Sequence, residues 1–384
     1  MPATYTGATT ATTAPSSPEV QQPIGSDAPN ASSVATPLGQ LADAIESERQ
    51  HRLRREAVFA LSDWSTLASG LAGTPLLTHT VKETNTGRWI FGGQRNGAGA
   101  ANLARSAAGD TFSSISAAGT NPLVNADGDV STIAYNPNLA MPVVGTTAGR
   151  IATSGDSGNT WTLRTAPAGT TSITFIRSYL GASGFVLGYN GGIANSTDGI
   201  TWTNRLSLTG TVCNLMLRPG GGLWVAVIFS SADTTMRIYT SADAITWTQR
   251  LSFASGTLVN RNVLTYLNGR WVLYNSSSSA ASYRSTDGIT WTAFTPLAIS
   301  PDAGLFEPFN LSSGVTHGGV CAVLTQNTRM LVTADGNIWT PVRTPPIAFG
   351  ATYGNEGLAF DAYGHAVLVA ATANVFQSRL ALSP

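Results

Sequence analysis

From residue 62 onward, apolar residues fall into short runs separated by Gly, Ser, Thr, Asn and Asp, the pattern of brief strands joined by tight turns. The same order of runs recurs along the chain. One run usually opens on Gly: GRWIFGG (87–93), GFVLGY (184–189), GLWVAVIF (222–229), GRWVLYN (269–275), GVCAVLT (319–325) and GHAVLVA (364–370), with MPVVGTT (141–147) in the remaining slot. The next run ends on Ser or Thr, as in NLARS, RIATS, GIANS, RIYTS and SYRS, then MLVT and VFQS. With the runs on either side, this predicts four strands per unit of about 45 residues, the period of β-propeller blades.

A polar box follows these runs: Ser154-x-Asp156-x-Gly158-x-Thr160-Trp161, Ser196-x-Asp198-Gly199-x-Thr201-Trp202 and Ser241-x-Asp243-Ala244-x-Thr246-Trp247. It continues as Ser285-x-Asp287-Gly288-x-Thr290-Trp291 and Thr333-x-Asp335-Gly336-x-Ile338-Trp339, and a worn copy runs from Ser106 to Phe112. The aromatic positions 112, 161, 202, 247, 291 and 339 lie 41 to 49 residues apart. Third strands end near 106, 154, 196, 241, 285, 333 and 378, but only six have a fourth strand behind them. Trp64 stands 48 residues before Phe112, so the stretch Ser62-Asp63-Trp64-Ser65-Thr66 is expected to complete the last unit. The expectation is an all-β fold: a seven-bladed β-propeller of four-stranded blades over 62–384, with the N-terminal strand closing the last blade and protecting the sheet edges.

Two segments precede it. Residues 1–37 are rich in Ala, Thr, Ser and Pro, with Glu19 and Asp27 as their only charges, and predict an extended or disordered arm held by a partner. Residues 38–61 predict an amphipathic helix or linker. Thr36-Pro37 is a plausible start, and acidic Asp43, Glu46 and Glu48 come before basic Arg49, Arg52, Arg54 and Arg55, as a helix dipole favours. The stripe Leu38, Leu41 and Ile45 is interrupted by Glu48 and Arg52; the helix either packs on the following domain or serves as a short oligomerising coil or partner-docking helix.

The repeated box resembles the Asp-box, or bacterial neuraminidase repeat, of sialidase-type propellers. In that family the box is the hairpin between the third and outer strands of a blade. The residue chemistry agrees: Asp and Ser bond backbone groups of their own turn, Gly supplies positive φ, and Trp wedges between neighbouring units. Four boxes are one residue shorter than the copy at 154–161, which predicts tighter turns, and Ala244 stands where the others have Gly. A motif present in nearly every unit reads as a set of turn anchors, and no catalytic residue is assigned.

Composition narrows the function. Charged residues are 11% of the chain and net charge is zero, so no broad field points to nucleic acid. Lys82 stands alone beside twenty Arg. Cys213 and Cys321 are read as buried apolar residues, and neither a Sec-type leader nor a membrane-spanning run is expected. The sialidase Arg-Ile-Pro signature is missing, the nearest phrase being Phe175-Ile176-Arg177-Ser178. Arg177, Arg218 and Arg261 are candidates to face a central channel. His51, His79, His317 and His365 share no ligand spacing, and Asp127-x-Asp129 lacks the downstream Glu of a calcium loop, so no metal or cofactor is expected. The stretch 92–105 lacks the Lys-Ser/Thr of a phosphate loop.

These readings favour a non-enzymatic interaction protein. Low charge, scarce Lys and a Thr/Ala/Pro arm resemble bacteriophage virion proteins, tail or fibre components that dock through an N-terminal segment. Protein partners reached through residues 1–61, or a host-surface glycan, are the expected ligands. The alternatives are a lectin-like propeller, with Trp89, Trp224 and Trp271 as candidate sugar-stacking residues, a photosystem II assembly factor, and a sialidase-type hydrolase.

Overall fold

The computed structural model describes residues 31–60, 64–68, 76–94, 102–106, 112–115, 121–123, 125–255, 262–275, 281–295, 297–298, 311–317, 319–325, 330–342, 358–360, 366–370 and 374–378. The chain divides into two units, residues 1–49 and 50–384. One helix spans Ala31–Ala60, beginning ahead of the Thr36-Pro37 start that its sequence suggests. Leu41 and Ile45 of its first half are exposed, while Ala57 near its end is fully buried.

Among the described residues, everything after the helix is strand, turn and one short 3₁₀ segment, Asn125–Asp127. Leu76–Lys82, Trp89–Gln94, Asn102–Ser106 and Phe112–Ile115 form one antiparallel sheet, and Val130–Asn136, Met141–Thr146, Ile151–Thr153 and Thr162–Arg164 the next. Asn262–Leu267, Arg270–Asn275, Ser282–Ser285 and Thr292–Phe294 repeat the plan. A five-stranded sheet holds Leu311–His317, Val320–Thr325, Met330–Thr333 and Ile338–Val342, with Leu297–Ala298 added in parallel at its outer edge. In the last sheet the first strand of the chain, Trp64–Ala68, lies beside Asn374–Ser378, with Trp64 opposite Ser378.

The expectation of seven separate four-stranded blades is not met. The described strands assemble into six hydrogen-bonded sheets: four of four strands, one of five and one of six. In the six-stranded sheet, Phe185–Ser196 and Thr203–Leu217 run on without the breaks seen elsewhere, so the ladder is continuous from Ile173 to Ala254. Thr203–Leu217 pairs through its first half with one neighbour and through its second half with the other. A motif count registers hairpins; it does not register where one unit's outer strand becomes the next unit's inner strand.

Successive sheets pack face to face in chain order. Ile90 and Leu103 meet Val130, Val144 and Trp161; Val143 and Ile151 meet Ile173, Phe185 and Leu187; Val225 and Val227 meet Leu264 and Trp271. Tyr274 then meets Cys321 and Trp339. Strand Leu76–Lys82 lies against Ala366–Ala370 of the last sheet, which closes the series into a β-propeller. Second strands are sandwiched on both faces. That is why Trp224–Ser230 is a continuous apolar run with every residue buried, whereas Thr248–Ala254, at a sheet edge, is largely exposed.

Innermost strands would leave backbone groups unpaired, and side chains of the neighbouring sheet meet some of them. Thr132 Oγ1 accepts from Ile176 N–H at 3.0 Å, Ser131 Oγ donates to Ile173 O at 2.6 Å, and Asn214 Nδ2 donates to Asn262 O at 3.2 Å.

Candidate functional site

The five complete boxes recur around the described sheets, and each is a hairpin leading to an outer strand. In the first, Ser154 Oγ donates to Asp156 Oδ1 at 2.8 Å and accepts from Gly158 N–H at 2.8 Å. Asp156 Oδ1 accepts from Thr160 N–H at 2.8 Å, and its Oδ2 from Thr160 Oγ1 at 2.7 Å. Trp161 Nε1 closes the loop by donating to Gly158 O at 3.1 Å.

The shorter boxes use the same pairing with one residue fewer. Ser196 donates to Asp198 at 2.9 Å, and Asp198 Oδ1 accepts from the backbone N–H groups of Ile200 and Thr201 at 2.8 and 2.7 Å. Ser241–Asp243, Ser285–Asp287 and Thr333–Asp335 repeat this, with Asp287 accepting from Ile289 and Thr290 N–H and Asp335 from Asn337 and Ile338 N–H. Trp291 Nε1 donates to Gly288 O at 2.9 Å.

Turn length shows in the backbone. The longer box has two left-handed residues, Ser157 (φ 59°) and Gly158 (φ 76°), where the shorter ones have a single one at Gly199, Ala244, Gly288 or Gly336. Ala244 (φ 59°) takes the conformation that its side chain argues against.

The box glycines serve a second purpose, a close approach to the preceding sheet. A Cβ would lie 3.2 Å from Ile90 Cδ1 at Gly158, 2.9 Å from Met141 Sδ at Gly199, 2.4 Å from Leu223 Cδ2 at Gly288 and 2.7 Å from Val272 Cγ2 at Gly336. Trp161 and Trp339 are buried between sheets, Trp202 and Trp291 are partly buried there, and Trp247 is partly buried against residues of its own six-stranded sheet.

These bonds fix the electrostatics. Burial works against the Asp198 carboxylate, yet donors from Thr201, Ile200 and Ser196 outweigh it and hold the group down at about 2. Backbone N–H groups of Thr246 and Ile245 hold Asp243 at about 2, and those of Thr290 and Ile289 do the same for Asp287. Asp156 is lowered in the same manner as Asp198, its turn bonds overcoming the cost of burial.

The other candidates disperse. Trp89, Trp224 and Trp271 are at most 3% exposed, so none presents a ring for stacking on a sugar. Arg177 lies over the Phe175 ring and donates to Ile176 O; Arg218 donates to Gly221 O within its own turn; Arg261 lies outside the described residues. Asp127 pairs with Arg150 at 2.8 Å on a 3₁₀ turn, and Asp129 belongs to a turn tied to Thr147. His51 is exposed on the helix, His79 is buried in an inner strand, and His365 lies outside the described residues. Cys213 and Cys321 are both buried, and burial pushes the Cys213 thiol up to about 12. Among the described residues no cluster of three His, Cys, Asp or Glu has metal-site proximity, and no helix is long and apolar enough to cross a membrane.

One repeated feature escapes the motif reading. Three residues beyond the box Trp stand Arg164, Arg205 and Arg250, and each Nε donates to the side chain immediately ahead of a box: Thr153 Oγ1 at 2.8 Å, Asn195 Oδ1 at 2.7 Å and Thr240 Oγ1 at 2.8 Å. Its sequence signal is Trp-Thr-x-Arg in three successive boxes.

The sequence matches no protein-family model and no curated protein. Solved structures resemble the fold. "YCF48 bound to D1 peptide" superposes with a TM-score of 0.57 at 15% identity, over 82% of this chain and 96% of that one. The WD40 β-propeller domain of Doa1 gives 0.55 at 10% identity, over 82% and 97%. The GH74 xyloglucanase from Xanthomonas campestris gives 0.51 at 14% identity, over 83% of this chain and 54% of that one. At these identities the likeness is one of fold, and the fold is a β-propeller.

Proposed function

We propose that the chain is a non-enzymatic interaction protein, a bacteriophage virion component of the tail or fibre type, anchored by residues 1–61 and presenting its propeller to a protein or host surface. One observation carries the non-enzymatic reading: the repeated carboxylates are committed to their own turns. Asp198 and Asp243 accept from two backbone N–H groups and a hydroxyl each, and at about 2 they are far from the raised pKa of a general acid. The boxes are turn anchors of the Asp-box kind, needed once per hairpin.

The binding reading draws on the neighbours, since one is captured with a peptide and another is the structure of a mitotic checkpoint complex by its name. The glycosidase among them shares only the fold. Burial of Trp89, Trp224 and Trp271 weighs against a lectin built on those rings. The virion assignment rests on composition: 11% charged residues, one Lys, and an N-terminal segment dominated by Ala, Thr, Ser and Pro.

Mass spectrometry of purified virus particles from the native source tests the assignment. The chain is expected at a fixed copy number per particle. Its absence from particles, or turnover of a fluorogenic glycoside by the purified protein, overturns the proposal.

A further inference from the structure

The three arginines on the outer strands are not demanded by the box. At the equivalent place the later repeats carry Phe294 and Val342, three residues beyond Trp291 and Trp339, in hairpins with the same Asp bonds. Arg205 and Arg250 are exposed and Arg164 is partly so. Holding Nε on a neighbouring side chain fixes each guanidinium against the sheet and leaves its four terminal N–H donors without a partner among the described residues.

The acids nearest in sequence do not neutralise them. Asp156, Asp198 and Asp243 turn their oxygens onto their own backbone and hydroxyl groups. Each hairpin also exposes an apolar side chain, Leu163 (41%) on the outer strand and Ile200 (40%) and Ile245 (46%) on the turns, as Ile289 (48%) does on a hairpin without the arginine. Arginine pre-set for carboxylate, with an exposed aliphatic group on the same hairpin, therefore recurs in three consecutive repeats.

We propose that this rim, carried by the hairpins and outer strands of 154–164, 196–205 and 241–250, is a docking surface for an acidic polypeptide segment that also bears aliphatic side chains. The guanidinium forks take its carboxylates, and Leu163, Ile200 and Ile245 take its apolar residues. A nucleic acid or sulfated glycan offers the charge but no counterpart for the aliphatic groups. The inference rests on the reading of the propeller as an interaction module, and is independent of its placement in a virion.

The test is fluorescence anisotropy with the full chain and a fluorescein-labelled peptide of repeating Glu-Glu-Leu, with heparin and duplex DNA as competitors. R164Q/R205Q/R250Q is expected to weaken binding by roughly tenfold or more, and I200S/I245S by a smaller factor. R164K/R205K/R250K removes the clamp geometry but keeps the charge, and is expected to bind between the wild type and the Gln variant. R270Q, an exposed arginine on another hairpin, should be without effect. Thermal melts of each variant establish that it is folded.

Lack of binding by the wild type overturns the proposal. So does equal binding by the Gln variant, or a Lys variant as tight as the wild type, which would reduce the arginines to charge without a clamp. Insensitivity to I200S/I245S together with displacement by heparin would make the rim a general polyanion surface and also overturn it. If the wild type fails to bind the peptide while the full chain still captures a stoichiometric protein partner, the rim inference fails while the interaction-module reading stands.

Discussion

Gly288 turns its bare Cα toward Leu223 of the preceding sheet so closely that a Cβ would stand 2.4 Å from Leu223 Cδ2. Its φ of 76° adds a second demand that an L side chain meets poorly. G288A is therefore expected to cost about 2–4 kcal/mol, combining left-handed strain with overpacking. Ala244 occupies the same place one repeat earlier, at φ 59° and fully buried. There A244G trades relief of strain against lost methyl burial and chain entropy, and should fall within about 1 kcal/mol of wild type. Denaturant midpoints of the two variants check the contrast.

The box carboxylates set an acid limit on stability. Asp198 and Asp243 sit at about 2 in the fold against an ordinary 3.8. A depressed carboxyl stabilises the native state fully above the ordinary value, and the contribution is lost as pH falls through the folded one. Melting temperature is expected to be flat near neutrality and to fall between about pH 4 and pH 2, with D198N/D243N flattening that slope.

Removing the Asp198 side chain leaves Ile200 and Thr201 N–H and the Ser196 hydroxyl to find water. Because the hairpin is solvent-facing, D198A is expected to cost only about 1–2 kcal/mol. Partner binding should be retained once the variant is folded, since the carboxylate is assigned no contact with a ligand. Thermal melts and a binding isotherm separate the two effects.

The first strand completes the last sheet, with Trp64, Ser65 and Thr66 opposite Ser378, Gln377 and Phe376. Deleting residues 1–68 exposes the edge of Asn374–Ser378, whereas deleting residues 1–30 leaves that pairing intact. The longer deletion is expected to lower the melting temperature sharply and to aggregate, the shorter one to change it little.

Much of this architecture is legible in the residues. GRWVLYN predicts a strand covered on both faces, and Trp271 and Leu273 are buried between sheets. The box spacing locates the hairpins, because Asp bonding to its own turn is a local event that sequence encodes directly. Fusion of neighbouring units was not legible. The stretch TNRLSLTGTVCNLML has only Gly210 to mark the passage from one pairing partner to the next, and that glycine allows a close approach, its Cβ position lying 2.6 Å from Phe229 O. The left-handed Ala244 was hidden too, since the surrounding sheet imposes it against local preference. The arginine rim was written in the sequence as Trp-Thr-x-Arg, but its meaning depends on which side chain each Nε meets across the hairpin.

Affinity capture from the native lysate tests the account at its centre, using the tagged full-length chain beside the chain lacking residues 1–30, with mass spectrometry of what each retains. The account predicts a stoichiometric virion structural protein on the full-length chain and its loss from the shortened one. Retention of no protein by the full-length chain would contradict it.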